Sequence, residues 1–114
     1  MWEMSERTGS TELPGLVGLA RRAGALEAGV AVARAAIREG RAHLVLLAAD
    51  AADGQLRKVR SLLEYHPVPT RWVSDRAMLG QAVGTASVSV AVITDRAFAE
   101  PLGRRLPEER PAAM

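Results

Sequence analysis

Two histidines, one lysine and no cysteine narrow what this 114-residue chain could catalyse or ligate. His43 opens an apolar run, and His66 stands in the turn His66-Pro67-Val68-Pro69. Neither has a carboxylate or second histidine at metal-ligand spacing, so both are expected in structural or surface roles. Without cysteine there is no disulfide and no thiolate ligand. No glycine-rich phosphate loop follows a strand, and no nucleophile elbow is present. Asp50 follows the apolar run Leu44-Val45-Leu46-Leu47, where a receiver-type domain carries its phosphorylated aspartate. That chemistry needs a Mg²⁺-binding acidic cluster after an earlier strand. Here that strand offers only Glu27, and Lys58 falls in a helix instead of after a late strand. Asp50 is therefore expected to turn the chain out of its strand. No catalytic residue, metal, cofactor or small-molecule substrate is expected.

Charge points elsewhere. From Leu13 to Leu102 there are eleven basic and eight acidic residues, so the positive excess belongs to the central part of the chain. Fourteen of the fifteen basic residues are arginine. Guanidinium forks suit phosphate, although a coding bias toward arginine would produce the same count. The second feature is Gly29, which opens a helix whose first N–H groups can receive an anion. At 100° per residue, Ala31, Arg34, Ala35 and Arg38 share one face of it, opposite Ala33 and Ile37. Small residues flanked by guanidinium groups could approach an RNA backbone without reading its sequence. The same pattern also describes an ordinary solvated face. Arg21, Arg22 and Arg41 extend the patch if the helix ends cluster.

The elements that must position these residues alternate along the chain. Leu13, Leu16, Val17, Leu19 and Ala20 mark a first helix, with Thr11 or Ser10 as cap, Pro14 in its first turn and Gly24 as its stop. Ala25–Glu27 reads as a short strand. A second helix runs from Gly29 to Glu39 and is stopped by Gly40. His43–Ala48 is a near-continuous apolar run, as in a central strand covered on both faces. Asp53 can cap a third helix, Gly54–Glu64. Thr70–Val73 is a strand, and Ser74 or Asp75 caps a fourth helix ending at Gly84. Ser87–Thr94 reads as a strand with Val88, Val90 and Val92 alternating against Ser89, Ala91 and Ile93. Asp95 can cap a last helix through Phe98, weakened at Pro101. Residues 1–12 and 103–114 are polar and aperiodic and read as disordered tails. Alternating strands and helices imply an α/β sheet with helices on both faces. With no apolar run long enough to span a bilayer, a cytoplasmic location is expected.

The ordered set Gly18-Leu19-Ala20-Arg21-Arg22-Ala23-Gly24, Gly29, Ile37-Arg38-Glu39-Gly40, His43–Ala51, Pro67-Val68-Pro69, Leu79–Gly84 and Val90–Asp95 resembles the ribosomal L7Ae/L30e family, in particular its small bacterial members. The resemblance covers roughly Leu13 to Leu102. It implies a three-layer α/β/α sandwich with a mixed four-stranded sheet. It also implies binding of structured RNA, often a kink-turn, in a translation or ribonucleoprotein setting. In that family a helix N-terminus enters the bent RNA. A glycine precedes a polar pair, Asn and Glu or close equivalents, that reads a sheared G·A pair, and a lysine one turn on reaches the RNA. Here Gly29 is present and Val30 follows, but the pair falls on Ala31 and Val32 and the lysine on Ala35. These side chains offer no hydrogen bond to a base. The loop beside the same RNA runs here from about Val83 to Val88, and its Gly84-Thr85-Ala86-Ser87 permits close backbone approach.

The expected RNA-binding set is therefore Gly29, Val30, Ala31, Val32, Arg34, Ala35, Arg38, Arg21, Arg22, Gly84, Thr85 and Ala86. Structured RNA, either kink-turn-like or ribosomal, is the expected partner, and phosphate contacts should dominate. The alternative is a protein-interaction module that keeps the fold without RNA contact. A third class, the substrate-binding domain of an RNA methyltransferase, would need a methyl-donor domain for which this chain has no room.

Overall fold

The computed structural model describes residues 15–112. The N-terminal tail, the capping Thr11 or Ser10, Leu13, Pro14 and the last two residues lie outside the described residues. Helix α1 occupies residues 15–22. There follow β1 (Leu26–Ala28), α2 (Val30–Arg38), β2 (Leu44–Ala48), α3 (Asp53–Leu63), β3 (Thr70–Val73), α4 (Arg76–Val83), β4 (Val90–Ile93) and α5 (Arg96–Arg105). Among the described residues no helix is long and apolar enough to cross a membrane.

The sheet order is β1-β4-β2-β3. Strand β4 runs antiparallel to both β1 and β2, and β2 and β3 are parallel. A parallel pair needs a crossover, and α3 supplies it. Every residue of β2 and of β4 is buried, because α2 and α3 cover one face and α1, α4 and α5 the other. The expected inward–outward alternation of β4 is therefore absent: Ala91 and Ile93 are as buried as Val90 and Val92. Leu44, Leu46, Leu47, Ile37, Leu56, Leu79, Ile93 and Leu102 are fully buried. Each contributes about 1.5–3 kcal/mol by leaving water.

In α1, Val17 and Ala20 are buried, whereas Leu19 is 47% exposed. Leu19 stands about 200° around the helix from Val17 and cannot share its stripe. Gly24 ends α1 at φ 76°. Asp75 caps α4 by accepting from the Met78 N–H at 2.7 Å, and Asp95 caps α5 by accepting from the Ala97 N–H at 2.9 Å. The expected Asp53 cap is corrected. Ala52 holds the cap position without a side-chain bond, and Asp53 is the first helical residue. There its carboxylate still favours the positive helix end.

The last helix is longer than expected. It passes through Pro101 to Arg105. Proline removes the bond to the carbonyl of Ala97, at a cost of about 3 kcal/mol or more. Ala97 is solvent-exposed, so water can serve that carbonyl. Burial of Leu102 and Leu106 returns about 3–6 kcal/mol, which exceeds the basic cost of a proline.

The expected tail from Gly103 is likewise corrected for the described residues. Leu106 is buried, and the carbonyl of Pro107 accepts the Trp72 N–H at 3.0 Å along the outer edge of β3. Arg110 then crosses the Trp72 ring, 5.3 Å from its centroid. It donates to the carbonyl of Ala49 from Nε (3.0 Å) and Nη2 (2.8 Å). Its Nη1 lies 3.4 Å from the Asp53 carboxylate. The segment covers what would otherwise be an open strand edge. Arg110→Ala is expected to cost about 1 kcal/mol, the size of a partly exposed cation–π contact plus a net hydrogen bond. Urea denaturation checks this, and an unchanged midpoint would show that the segment adds nothing to stability.

Candidate nucleic-acid interface

Strand order brings α2 and the α4–β4 loop to one end of the sheet. Ala28 pairs with Ala91, and the next N–H, that of Gly29, donates to the Val90 carbonyl at 2.9 Å. On the other side of β4, Leu47 pairs with Val90 and the Ala48 N–H donates to the Ser89 carbonyl at 2.9 Å. The start of α2, the end of the loop and the end of β2 therefore meet.

Gly29 has φ 113° and ψ 149°, a conformation that L side chains rarely adopt. A Cβ there would meet nothing within 4 Å, so glycine is needed for its backbone and leaves the surface in front of it open. Gly29 gives α2 no side-chain cap, and no acid stands in the first turn. The first N–H inside α2 to find a helical acceptor is that of Ala33, which donates to the Gly29 carbonyl. Among the described residues the N–H groups of Val30, Ala31 and Val32 are left as the unpaired donors of a helix start. They carry the positive end of the helix dipole into open solvent.

Around the helix, Ala33, Ala36 and Ile37 face the core. Ala31, Val32 and Arg38 are exposed, and Val30, Arg34 and Ala35 are half-buried. The expected small-residue face is present, but Arg34 stands at its edge. Its guanidinium donates to the Lys58 carbonyl, tying α2 to α3. Arg38 forms no ion pair or hydrogen bond among the described residues and lies roughly 13 Å along the axis from Gly29.

The α4–β4 loop is held from below. Gly84 ends α4 at φ 84°, and the Thr85 N–H donates back to the Gly80 carbonyl at 2.8 Å. Gly80 is buried, and a Cβ there would lie 2.7 Å from the Ser87 backbone and 2.8 Å from the carbonyl carbon of Ala86. The loop rests directly on this glycine, leaving Gly84, Thr85 and Ala86 exposed. A Cβ on Gly84 would be 3.9 Å from the Arg21 guanidinium, so α1 brings Arg21 to the same loop.

The structure thus gathers Gly29, Val30, Ala31, Val32, Gly84, Thr85, Ala86 and Arg21 at one end, with Ala35 and Arg38 along α2. Arg22 is exposed, and its guanidinium lies 3.8 Å from where a Cβ on Gly18 would stand. Arg41 is not available to the patch. It is bound by Glu27 and by Glu39, and these two carboxylates raise its pKa, the Glu39 hydrogen bond most. Asp50 is also accounted for. It accepts the Arg76 N–H at 2.7 Å and lies 3.5 Å from Arg76 Nε, fastening the start of α4. Among the described residues no group of three or more His, Asp or Glu side chains could hold a metal.

Sequence reasoning missed two parts of this surface. One is the support given by Gly80, which shows only once the loop has folded back to Ser87. The other is the continuation onto α3, where exposed Arg57 and Lys58 stand beside the Arg34 tie.

Known proteins are similar to this chain in sequence and fold. The chain is 39% identical over 87 residues to the RNA-binding protein YlxQ of Bacillus subtilis, covering 76% of this chain and 87% of that protein. It is 35% identical over 85 residues to the RNA-binding protein YlxQ of Enterococcus faecium, covering 75% and 82%. A Bacillus halodurans protein of unknown function superposes with a TM-score of 0.76 at 30% identity, covering 82% of this chain and 94% of that one. A Giardia lamblia 15.5kD RNA binding protein superposes with a TM-score of 0.69 at 25% identity, covering 86% and 87%. Residues 11–102 match the family model, and the chain belongs to the ribosomal protein L7Ae/L30e/S12e/Gadd45 family.

Proposed function

We propose that this protein binds structured RNA at the Gly29 end of the sheet, through phosphate contacts more than base contacts. The observation that carries the reading is the uncapped start of α2 beside the exposed Gly84–Ala86 loop. Three free N–H groups and a helix dipole suit a phosphate, and the glycine-bearing loop lets a second backbone come close. Arg21, Arg22 and Arg38 supply guanidinium groups that form no ion pair among the described residues. The named relatives are RNA-binding proteins, which supports the same partner. The protein is a binding protein and not an enzyme. Ribosomal RNA or a ribonucleoprotein particle is the setting the family suggests, and a kink-turn is the first RNA to test.

Ala31, Val32 and Ala35 cannot read a base edge, so binding should be strongly salt-dependent. Three phosphate contacts by arginine give a slope of about −2.7 in log affinity against log salt, or roughly a fortyfold loss from 50 to 200 mM. Arg38→Glu should lower affinity for a kink-turn RNA by about tenfold and make that slope shallower by about one. A gel-shift titration at the two salt concentrations measures both. Absence of binding to any structured RNA, with a protein partner recovered by pull-down and lost in Arg38→Glu, would assign the surface to protein contact instead.

A further inference from the structure

The opposite end of the sheet carries a second basic feature. Leu44 and Thr70 begin β2 and β3 there, three residues of strand away from the Gly29 end. Between these strand starts, α5 and the segment after it lies a cleft of about 800 Å³. Its ionisable lining is His43, Arg71, Arg96, Arg104, Glu100 and Glu108. Arg71 is the fixed member. Its side chain is only 20% exposed, Nε donates to the Gly103 carbonyl at 2.8 Å and Nη1 to the Thr70 carbonyl at 2.8 Å. A guanidinium held in this way has lost little freedom still to lose on binding an anion. Its remaining nitrogen, Nη2, lies 3.8 Å from the Glu108 carboxylate, beyond hydrogen-bond distance. Arg96 has no ion pair among the described residues, and Arg104 meets Glu100 at 3.9 Å.

The two carboxylates are loosely held. Glu108 is 77% and Glu100 is 68% exposed, and pairs of this kind contribute little. The cleft therefore already contains an anion of the chain's own, poorly bonded and free to swing out. An RNA phosphodiester carries the same single charge as a carboxylate and also presents two acceptor oxygens. Because it comes in a polymer whose binding releases counterions, it can displace a loosely held glutamate. No Phe, Tyr or Trp lines the cleft, so contacts to the backbone outweigh stacking on bases there.

We propose that this cleft is a second RNA-backbone site, so that one molecule contacts RNA at both ends of its sheet, with Glu108 as a built-in competitor. This rests on the RNA reading given above for the Gly29 end. Two variants should act in opposite directions. Arg96→Glu should lower affinity for a long-armed kink-turn RNA about fivefold, and Glu108→Gln should raise it about threefold. Both side chains are exposed, so neither change threatens the fold, and a thermal melt confirms that. Amide NMR of the full chain locates the effect. The long-armed RNA should shift the amides of Arg96, Gly103 and Arg104 as well as those of Gly29 and Gly84, and Arg96→Glu should abolish only the first set. Shifts at Gly29 and Gly84 alone, with unchanged affinity in both variants, would overturn the cleft proposal and leave the RNA reading standing. No shift at either end would overturn both. Inorganic phosphate or a poly-glutamate peptide shifting the cleft amides where RNA does not would assign the cleft to a small phosphate or an acidic protein, and would equally overturn the proposal.

Discussion

Gly80→Ala is expected to destabilise the protein by about 2 kcal/mol and to lower its melting temperature by about 10 °C. The sign is the test. Alanine in place of glycine inside a helix ordinarily stabilises by up to about 1 kcal/mol, because it restricts the unfolded chain and favours the helix. Here the added Cβ would lie 2.7 Å from Ser87 N and Cα, and these are backbone atoms that cannot swing aside. Either α4 lifts from the sheet, where Leu79 and Val83 are buried beside it, or the Gly84–Ser87 loop moves outward. Overpacking of this kind costs about 1–3 kcal/mol, enough to reverse the helix gain. If the loop moves, it moves at the proposed RNA-facing end, so affinity for structured RNA should fall with stability. Denaturation followed by a binding titration at a temperature where the variant is fully folded separates the two effects. A variant at least as stable as the parent would show that the close packing of α4 on the loop is not a feature of the folded protein.

The contrast between Gly80 and Gly29 shows what the sequence could and could not convey. Gly29 was legible because its requirement is local: a helix begins after it, and its positive φ serves a turn between adjacent elements. Gly80 sits among helix formers, and its requirement comes from a loop that follows it and folds back. The same distinction runs through the rest of the fold. The strand positions, the capping by Asp75 and Asp95 and the ends at Gly24 and Gly84 follow from residues within one turn of each other. The course of the chain after Phe98 does not. Pro101 signals a break, and only the burial of Leu102 and Leu106 against a distant sheet overrides it. A lone leucine among arginines, prolines and glutamates carries no periodicity, so the edge-covering segment of Pro107 and Arg110 is invisible until Trp72 is in place. Within the site, the face of α2 was readable from 100° spacing, but the engagement of Arg34 with Lys58 and of Arg41 with Glu27 was not. Both ties reach across the chain, and both remove arginines from the surface that composition alone would have credited with free charge.

Ala31→Asn, Val32→Glu and Ala35→Lys made together are expected to raise affinity for a kink-turn RNA by at least tenfold, and for a straight duplex hardly at all. The polar pair and the lysine are those that the family resemblance implies at these positions. Ala31 and Val32 are exposed and Ala35 is half-buried on the same face, so the backbone that would present the new groups is already placed. One bidentate base contact is worth about 1–3 kcal/mol of discrimination. The changes add one negative and one positive charge, leaving the net charge as it was. The salt dependence should therefore stay near that of the parent while the preference for the kinked RNA grows, a combination that extra phosphate attraction cannot produce. The glutamate at position 32 also falls in the first turn of α2, where an acid favours the dipole, so stability should not suffer. Competition between labelled kink-turn and unlabelled duplex, repeated at two salt concentrations, measures the preference. Equal gains for both RNAs would mean that the lysine alone acts. No gain for either would mean that the Gly29 helix does not enter the bend of the RNA, and the proposed placement of RNA on this end would fall with it.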